Sequence, residues 1–419
     1  MLTIRQGRGD YGRLRSRWVL VAALVTMTAA FGLNFSAGAF FPFLTSERDW
    51  SAGALGAAAG LSTALTGVLQ PVVGRAVDKL GARRVLLFGI TVLGTTQLLL
   101  SQVTELWQFV VVYGAFGALG FATSSTPPVS ALVARWHLGD RPRALAIAAT
   151  GINLGQLVAL PVAVALAEVH GVSIAYAALG AVALILVVPA LLVVPSRPPV
   201  ARGVGASGPA PRSTASAFGP KLLTVTFGLH ALSLYLVVLG LPLHAADLGA
   251  SPADGGRLVA FAAGTSLVSM LLYGSLARRT GLPVLLYTVH GLRVVALIVL
   301  AAASNPTAVA AGAVLFGTSS FAVIPLTIAA LTEGVPGDRV GRRTGPAWLT
   351  HQLSAGTGVA VGGLIHSLTG SYALVLTATA GASALALALL LWRGTRAAAT
   401  NIDPGATAPV RQNPIEETL

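Results

Sequence analysis

In the stretch YTVHGLRVVAL, residues 287–297, Arg293 follows His290 by three positions, which on a helix sets a guanidinium and an imidazole on one face. Such a pair can bind an anion and, through the imidazole, respond to pH. A second histidine, His230, lies in FGLHALSLYL (227–236) with Ser233 and Tyr235, and a third, His351, precedes Gln352. No Asp or Glu lies deep in an apolar run; Glu47, Asp49, Asp247 and Asp254 stand at the edges. A carboxylate proton relay through the interior is therefore disfavoured, and proton coupling falls to histidine or to those edge groups. Catalysis finds no footing, since no nucleophile with base and orienter, metal cluster or phosphate loop emerges. The chain is expected to be no enzyme and to carry no cofactor. It has no cysteine, so disulfides and thiolate metal sites are excluded.

The elements that must position these groups follow from composition. Of 419 residues, 54% are hydrophobic and 10% charged, and the mean hydropathy is +0.78. A soluble domain carries nearer a quarter charged residues, so the bilayer is the expected solvent. Twelve apolar runs reach the roughly 20 residues that a helix needs to span it. They lie near 18–44, 51–73, 84–103, 106–134, 143–168, 172–194, 221–246, 253–277, 282–303, 306–332, 344–367 and 371–392. None alternates every second residue as a barrel strand would, so the expected class is an all-α integral membrane protein. The first run is too long for a signal-peptide core and is followed by no small-residue cleavage site, and it is kept as a mature span.

The formal net charge of +13 could suggest a polyanionic partner, but its placement argues otherwise. All but three of the 27 basic residues, Arg48, Arg257 and Arg293, fall in the termini and in alternate connections. That is the positive-inside pattern, and it puts both termini in the cytoplasm of a multi-pass plasma (inner) membrane protein. The expected partner is the lipid bilayer and not nucleic acid.

PSRPPVARGVGASGPAPRSTASAFGPK (195–221) reads as a flexible cytoplasmic linker. It divides the chain into an N-terminal tail at 1–17, a six-helix bundle at 18–194, the linker at 195–220, a second bundle at 221–392 and a C-terminal tail at 393–419. An internal repeat agrees with this division: at an offset of about 200 residues Pro42 meets Pro242, Gly74 meets Gly274, Gly81 meets Gly281 and Gly171 meets Gly370. TSSTPP (123–128) faces TSSFAVIP (318–325), and GDR recurs at 139–141 and 337–339. Two similar six-helix halves suit alternating access, one rocking against the other around a midplane site.

Between the second and third runs stands GRAVDKLGARR (74–84), with five charges in eleven residues. Gly74, then Asp78 four on, Gly81 three further, and the basic pair Arg83 and Arg84 resemble the loop signature of the major facilitator superfamily. The resemblance implies a cytoplasmic latch, with Asp78 pairing with an arginine of the next cytoplasmic loop, and with Gly74 and Gly81 for close approach and tight turning. The simpler alternative is a topological anchor. In the second copy, GSLARRTG (274–281), Arg278 replaces the aspartate. Within the superfamily, ERDWSAG (47–53), RWHLGDRPRALAIAATGINLG (135–155) and HQLSAGTGVAVGGLIHSLTGSY (351–372) are similar to the monocarboxylate porter group and its bacterial relatives.

The resemblance implies twelve transmembrane helices in two pseudo-symmetric bundles, with helices one, four, seven and ten lining the cavity. The candidate cavity residues are then Asn34, Asn153, Gln156, His230, Tyr235, Arg293, His351 and Gln352. For the four amides the alternative is an interhelical hydrogen bond. For Arg293 it is a peripheral ninth helix with the guanidinium snorkelling or bonding backbone carbonyls, and the balance falls on that alternative. His244 and His366, near span ends, are expected to be solvated. Porters of lactate-like anions carry a lysine in the first helix and an acid–arginine pair in the eighth. Here the first span offers GLNFSAGAFF, and Ser266 and Met270 take the places of the pair. The expected function is secondary active transport of a small organic solute, an organic anion such as a monocarboxylate, by a monomer, with a proton as candidate co-substrate. The alternative is efflux of drugs or amphipathic compounds.

Overall fold

A computed structural model describes residues 3–136, 141–194, 218–333, 335 and 340–401. The described residues form twelve long helical rods and no strand. The first half contains α1 (Thr3–Arg48), α2 (Ala52–Leu80), α3 (Ala82–Leu100), α4 (Leu106–Trp136), α5 (Arg141–Leu154 carried on through Leu160–His170) and α6 (Val172–Val193). The second contains α7 (Pro220–Asp247), α8 (Pro252–Thr280), α9 (Leu282–Ala301), α10 (Pro306–Thr332), α11 (Val340–Thr369) and α12 (Ala373–Asn401). Helix already runs through most of the stretch expected as an N-terminal tail. Most of the expected linker, at 195–217, lies outside the described residues, as does the chain beyond 401.

Eleven of these helices are long and apolar enough to cross a membrane; α11, at the position of the expected eleventh span, is absent from that set. The reason is its placement. It packs against both α2 and α7, and helix–helix surfaces inside a bilayer protein use small and polar residues, here Gly356, Gly358, Gly363, Ser354 and Gln352, in place of lipid-facing leucine.

The repeat is visible in the backbone. Gly81 and Gly281, and Gly171 and Gly370, all take positive φ at the turns between α2 and α3, α8 and α9, α5 and α6, and α11 and α12. The N-caps repeat as well: Ser51 accepts from the Ala54 amide and Ser251 from that of Asp254, and Glu105 and Asn305 begin α4 and α10. α4 is interrupted at Ser125, within TSSTPP, and α10 between Ser319 and Val323, within TSSFAVIP. Prolines just beyond these serines lack the N–H that a continuous ladder would need.

Glycine allows the close approaches within each half. Gly151 packs on Met27 and Gly155 on Thr28 and Gly32, which gives the small-residue face of GINLG its partner in α1. Between the halves the contacts are α2 with α11, α5 with α8 and α1 with α7. On α2 the stripe Gly53, Gly56, Gly60 and Gly67 meets Ser367, Gly363, Gly356 and Gln352 of α11. Continued toward the basic end, the same face of α2 presents Pro71, Gly74 and Asp78, all exposed, and the matching face of α11 presents exposed Gly345. A Cβ on Gly74 or Gly345 would meet nothing within 4 Å. The halves are thus closed at the end away from the Gly74–Arg84 turn and part near mid-depth toward it.

Candidate functional site

Where the halves begin to part, α7, α9 and α11 bring together five of the eight predicted cavity residues. His230 is fully buried on α7, and its ring centroid lies 5.7 Å from that of His351 on α11 and 6.4 Å from that of His290 on α9. Tyr235, five residues further along α7, hydrogen-bonds Gln352 and packs its ring 5.2 Å from Phe35 of α1, so this end of the cluster touches the first half. Gln352 also meets His351, Oε1 to Nδ1 at 3.2 Å.

Arg293 is the cation of the cluster, and its side chain neither snorkels nor bonds a backbone carbonyl, although α9 itself packs on α8, α10 and α12. It is fully buried and points inward from α9: Nη1 donates to Ser233 Oγ at 3.1 Å, and the guanidinium carbon stands 4.9 Å from the Phe316 ring centroid. Snorkelling is excluded by that direction, and the hydrogen bond found is to a side chain of α7. Nε and Nη2 have no hydrogen-bond partner, nor does either ring nitrogen of His230, Nδ1 of His290 or Nε2 of His351. Among the described residues no carboxylate pairs with Arg293. A buried guanidinium left in this condition costs several kcal/mol, and an anion is the species that relieves it.

Aromatic rings enclose the cluster on the side facing the open end. Phe227 stacks parallel to His230 at 6.0 Å and lies 4.3 Å from His351; Trp348, partly exposed, lies 5.5 Å from His351. Neither ring was singled out from sequence. The signal was present in Phe227-x-x-His230 and Trp348-x-x-His351, since an aromatic three residues before a histidine shares its helical face.

The remaining three predicted cavity residues lie elsewhere. Asn34 is buried on α1, where its backbone carbonyl accepts from the Tyr113 hydroxyl at 3.4 Å. Asn153 and Gln156 lie on α5: Asn153 Nδ2 is 3.2 Å from Met270 Sδ on α8, bridging the halves, and Gln156 Nε2 donates to the Ile152 carbonyl at 3.3 Å. The two span-end histidines differ from the solvated state expected of them. His244 is buried with Nε2 3.0 Å from the Leu300 carbonyl oxygen, and His366 Nε2 is 2.7 Å from Asp247 Oδ2. Helix ends gathered in one bundle shield one another, which linear distance from a span's edge does not reveal.

At the basic end Asp78 lies 3.8 Å from Arg135, the first arginine after α4's break, in an exposed ion pair. Gly81, at φ 86°, makes the turn, whereas Gly74 makes no close approach in this conformation. Arg83 donates from Nε to the Leu191 carbonyl at 3.0 Å and from Nη2 to that of Leu192 at 2.7 Å, capping α6 where a cation is favoured. Arg84 is exposed. Arg83 therefore ties α3 to α6 within the first half, whereas Asp78, in an exposed pair with Arg135, can exchange partners as the halves move. Asp78→Asn is expected to slow transport several-fold while leaving solute affinity and thermal stability nearly unchanged, because an exposed pair contributes at most about 1 kcal/mol. Initial rates in liposomes beside equilibrium binding check this; an unaltered rate would remove the latch role.

The sequence profile of the Major Facilitator Superfamily matches residues 22–359. Among curated proteins the chain is 23% identical to the uncharacterized MFS-type transporter YcxA of Bacillus subtilis, over 86% of this chain and 91% of that one. It is 27% identical to monocarboxylate transporter 11 of Homo sapiens, over 85% and 78% respectively. Among solved structures, a bacterial homolog of the human lysosomal transporter Spinster, inward-facing and unoccupied, superposes with a TM-score of 0.69 at 14% identity, covering 92% of this chain and 98% of that one. The nucleoside transporter NupG likewise scores 0.69, covering 90% and 98%. With the profile spanning most of the chain and the same two-bundle fold in the solved structures, this protein belongs to the Major Facilitator Superfamily.

Proposed function

We propose that the protein is a secondary active transporter of a small organic anion, of the monocarboxylate class, and that Arg293 with His230, His290 and His351 forms its anion site. The observation that carries this is the buried guanidinium with two unpartnered nitrogens, set among three histidines and, among the described residues, paired with no carboxylate. A carboxylate accepts from Arg in a two-pronged geometry and neutralises it, whereas a cationic solute would be repelled. The similarity to a monocarboxylate transporter points the same way. The family's usual acid–arginine pair in the eighth helix is replaced here by Ser266 and Met270, and the ninth helix supplies the arginine from behind α7.

In this reading the basic end faces the cytoplasm of the plasma membrane, the conformation described is open to the cytoplasm, and solute reaches the cluster past Phe227 and Trp348. The aromatic rings at the apex, Phe35, Tyr235, Phe227 and Trp348, favour the second reading, efflux of amphipathic compounds.

Thermal unfolding of the purified protein separates the two. Small monocarboxylates are expected to raise the midpoint, since a ligand at about 100 times its Kd adds about 2.7 kcal/mol to the folded state. Stabilisation by hydrophobic cations alone would replace the anion reading with efflux.

A further inference from the structure

The closed end holds a second polar cluster that the anion site does not use. Asp247 is the last residue of α7, and His366 lies in the last turn of α11. Their side chains meet at 2.7 Å and are largely withdrawn from solvent, 13% exposed for His366 and 28% for Asp247. The Tyr372 ring, at the N-terminal end of α12, lies tilted against His366 with ring centroids 4.5 Å apart, and His366 Nδ1 is buried without a partner. The next residue, Ser367, accepts the Gly53 N–H of α2 at 2.6 Å, a direct hydrogen bond between the halves. We propose that His366 and Asp247 form a proton-binding site that controls closure of this mouth.

Two helices end at the pair. Each helix C-terminus favours a cation, and a proton on the imidazole converts a neutral contact with Asp247 into a charge-assisted one. Protonated, the pair clasps the last turn of α11 to α7 in the position from which Ser367 reaches Gly53. Deprotonated, Asp247 faces two negative helix ends with only a neutral imidazole beside it, and the clasp slackens.

The neighbouring groups leave this pair as the switch. From α7, His244 faces the same space, but its Nε2 is engaged by the Leu300 carbonyl of α9. From α12 comes Tyr372, and from α2 no titratable side chain, since Ala52–Leu69 contains none. The end of α1 carries Glu47 and Arg48, and Arg48 is turned away to the Val103 carbonyl.

The absence of cysteine allows a clean test. Cysteines at Ser46 of α1 and Leu368 of α11, both exposed at this end, take nitroxide labels on the full-length protein in lipid nanodiscs, and their separation is read by double electron–electron resonance. Between about pH 5 and about pH 8, where histidine titrates, the ratio of short to long separations is expected to fall about tenfold as pH rises, the effect of a proton bound preferentially by the closed form. His366→Gln and Asp247→Asn should each abolish that change, and His244→Gln should retain it. A ratio indifferent to pH in the labelled parent, or a change that survives in His366→Gln, overturns the proposal. The inference assumes alternating access but not the anion reading. Because the readout needs no solute, its failure is distinct from a failure of carboxylates to stabilise the protein.

Discussion

Arg293→Gln should weaken carboxylate binding by at least about 100-fold and at the same time make the solute-free protein more stable. The two effects have one cause. In the absence of solute the guanidinium is buried with two unpartnered nitrogens, and exchanging such a charge for a neutral group removes a desolvation cost. In the bound complex the same guanidinium supplies charge-assisted hydrogen bonds, and deleting them costs about 3 kcal/mol, near two powers of ten in Kd. Arg293→Lys keeps the charge but loses the planar fork, so binding should fall by an intermediate amount. Unfolding curves with and without a monocarboxylate measure both quantities. If Arg293 were a structural strut, solute-free stability would drop and the solute-induced increment would persist; that pattern would end the anion-site proposal.

A comparably large effect is expected at a position that touches no solute. Gly56→Leu should reduce transport to about one hundredth, by preventing closure and not by unfolding the chain. A Cβ at Gly56 would lie 2.8 Å from the Gly363 Cα and 3.1 Å from the Val359 carbonyl oxygen, both backbone atoms of the opposite half. Neither can give way locally, so α2 and α11 must separate, and a penalty of about 3 kcal/mol on the closed form displaces its population more than a hundredfold. Nothing in that clash disturbs the first half itself, so the variant should fold, bind solute and accumulate with this mouth open, as a lengthened Ser46–Leu368 label separation would report. Gly155→Leu is the contrast: Gly155 packs on Thr28 and Gly32 inside one half, and its variant should lose stability in every conformation. Normal transport by Gly56→Leu would show that the glycine stripe is not the closure surface.

Much of this was legible in the sequence, and what was not has physical reasons. The positions of the rods follow from apolar runs, the turns from glycines that recur at a fixed offset and prove to have positive φ, and the breaks in α4 and α10 from serine beside proline. Helical spacing also put His290 and Arg293 on one face. It did not say which way that face points: α9 is apolar around most of its circumference, and the inward direction of Arg293 is fixed by Ser233 and Phe316, which stand 60 and 23 positions away in sequence. The amides of α5 illustrate the reverse case, since polarity drew attention to Asn153 and Gln156 but the partners found are Met270 and a local carbonyl. Partners across a helix interface leave no trace in local periodicity, and neither does the choice of which mouth is closed.

The uncompensated Arg293 has an electrical consequence as well. A fixed positive charge held near mid-depth lies within the transmembrane field, where a full crossing of one elementary charge corresponds to about 2.3 kcal/mol per 100 mV. On the anion-site proposal, whatever fraction of that field the guanidinium traverses when access switches from one side to the other would be felt by the empty carrier and cancelled when a bound carboxylate travels with it. The membrane voltage would then act on the return of the unloaded protein and leave the loaded step nearly untouched, so that resting potential becomes a rate control on the carrier even for a cycle whose net cargo is uncharged.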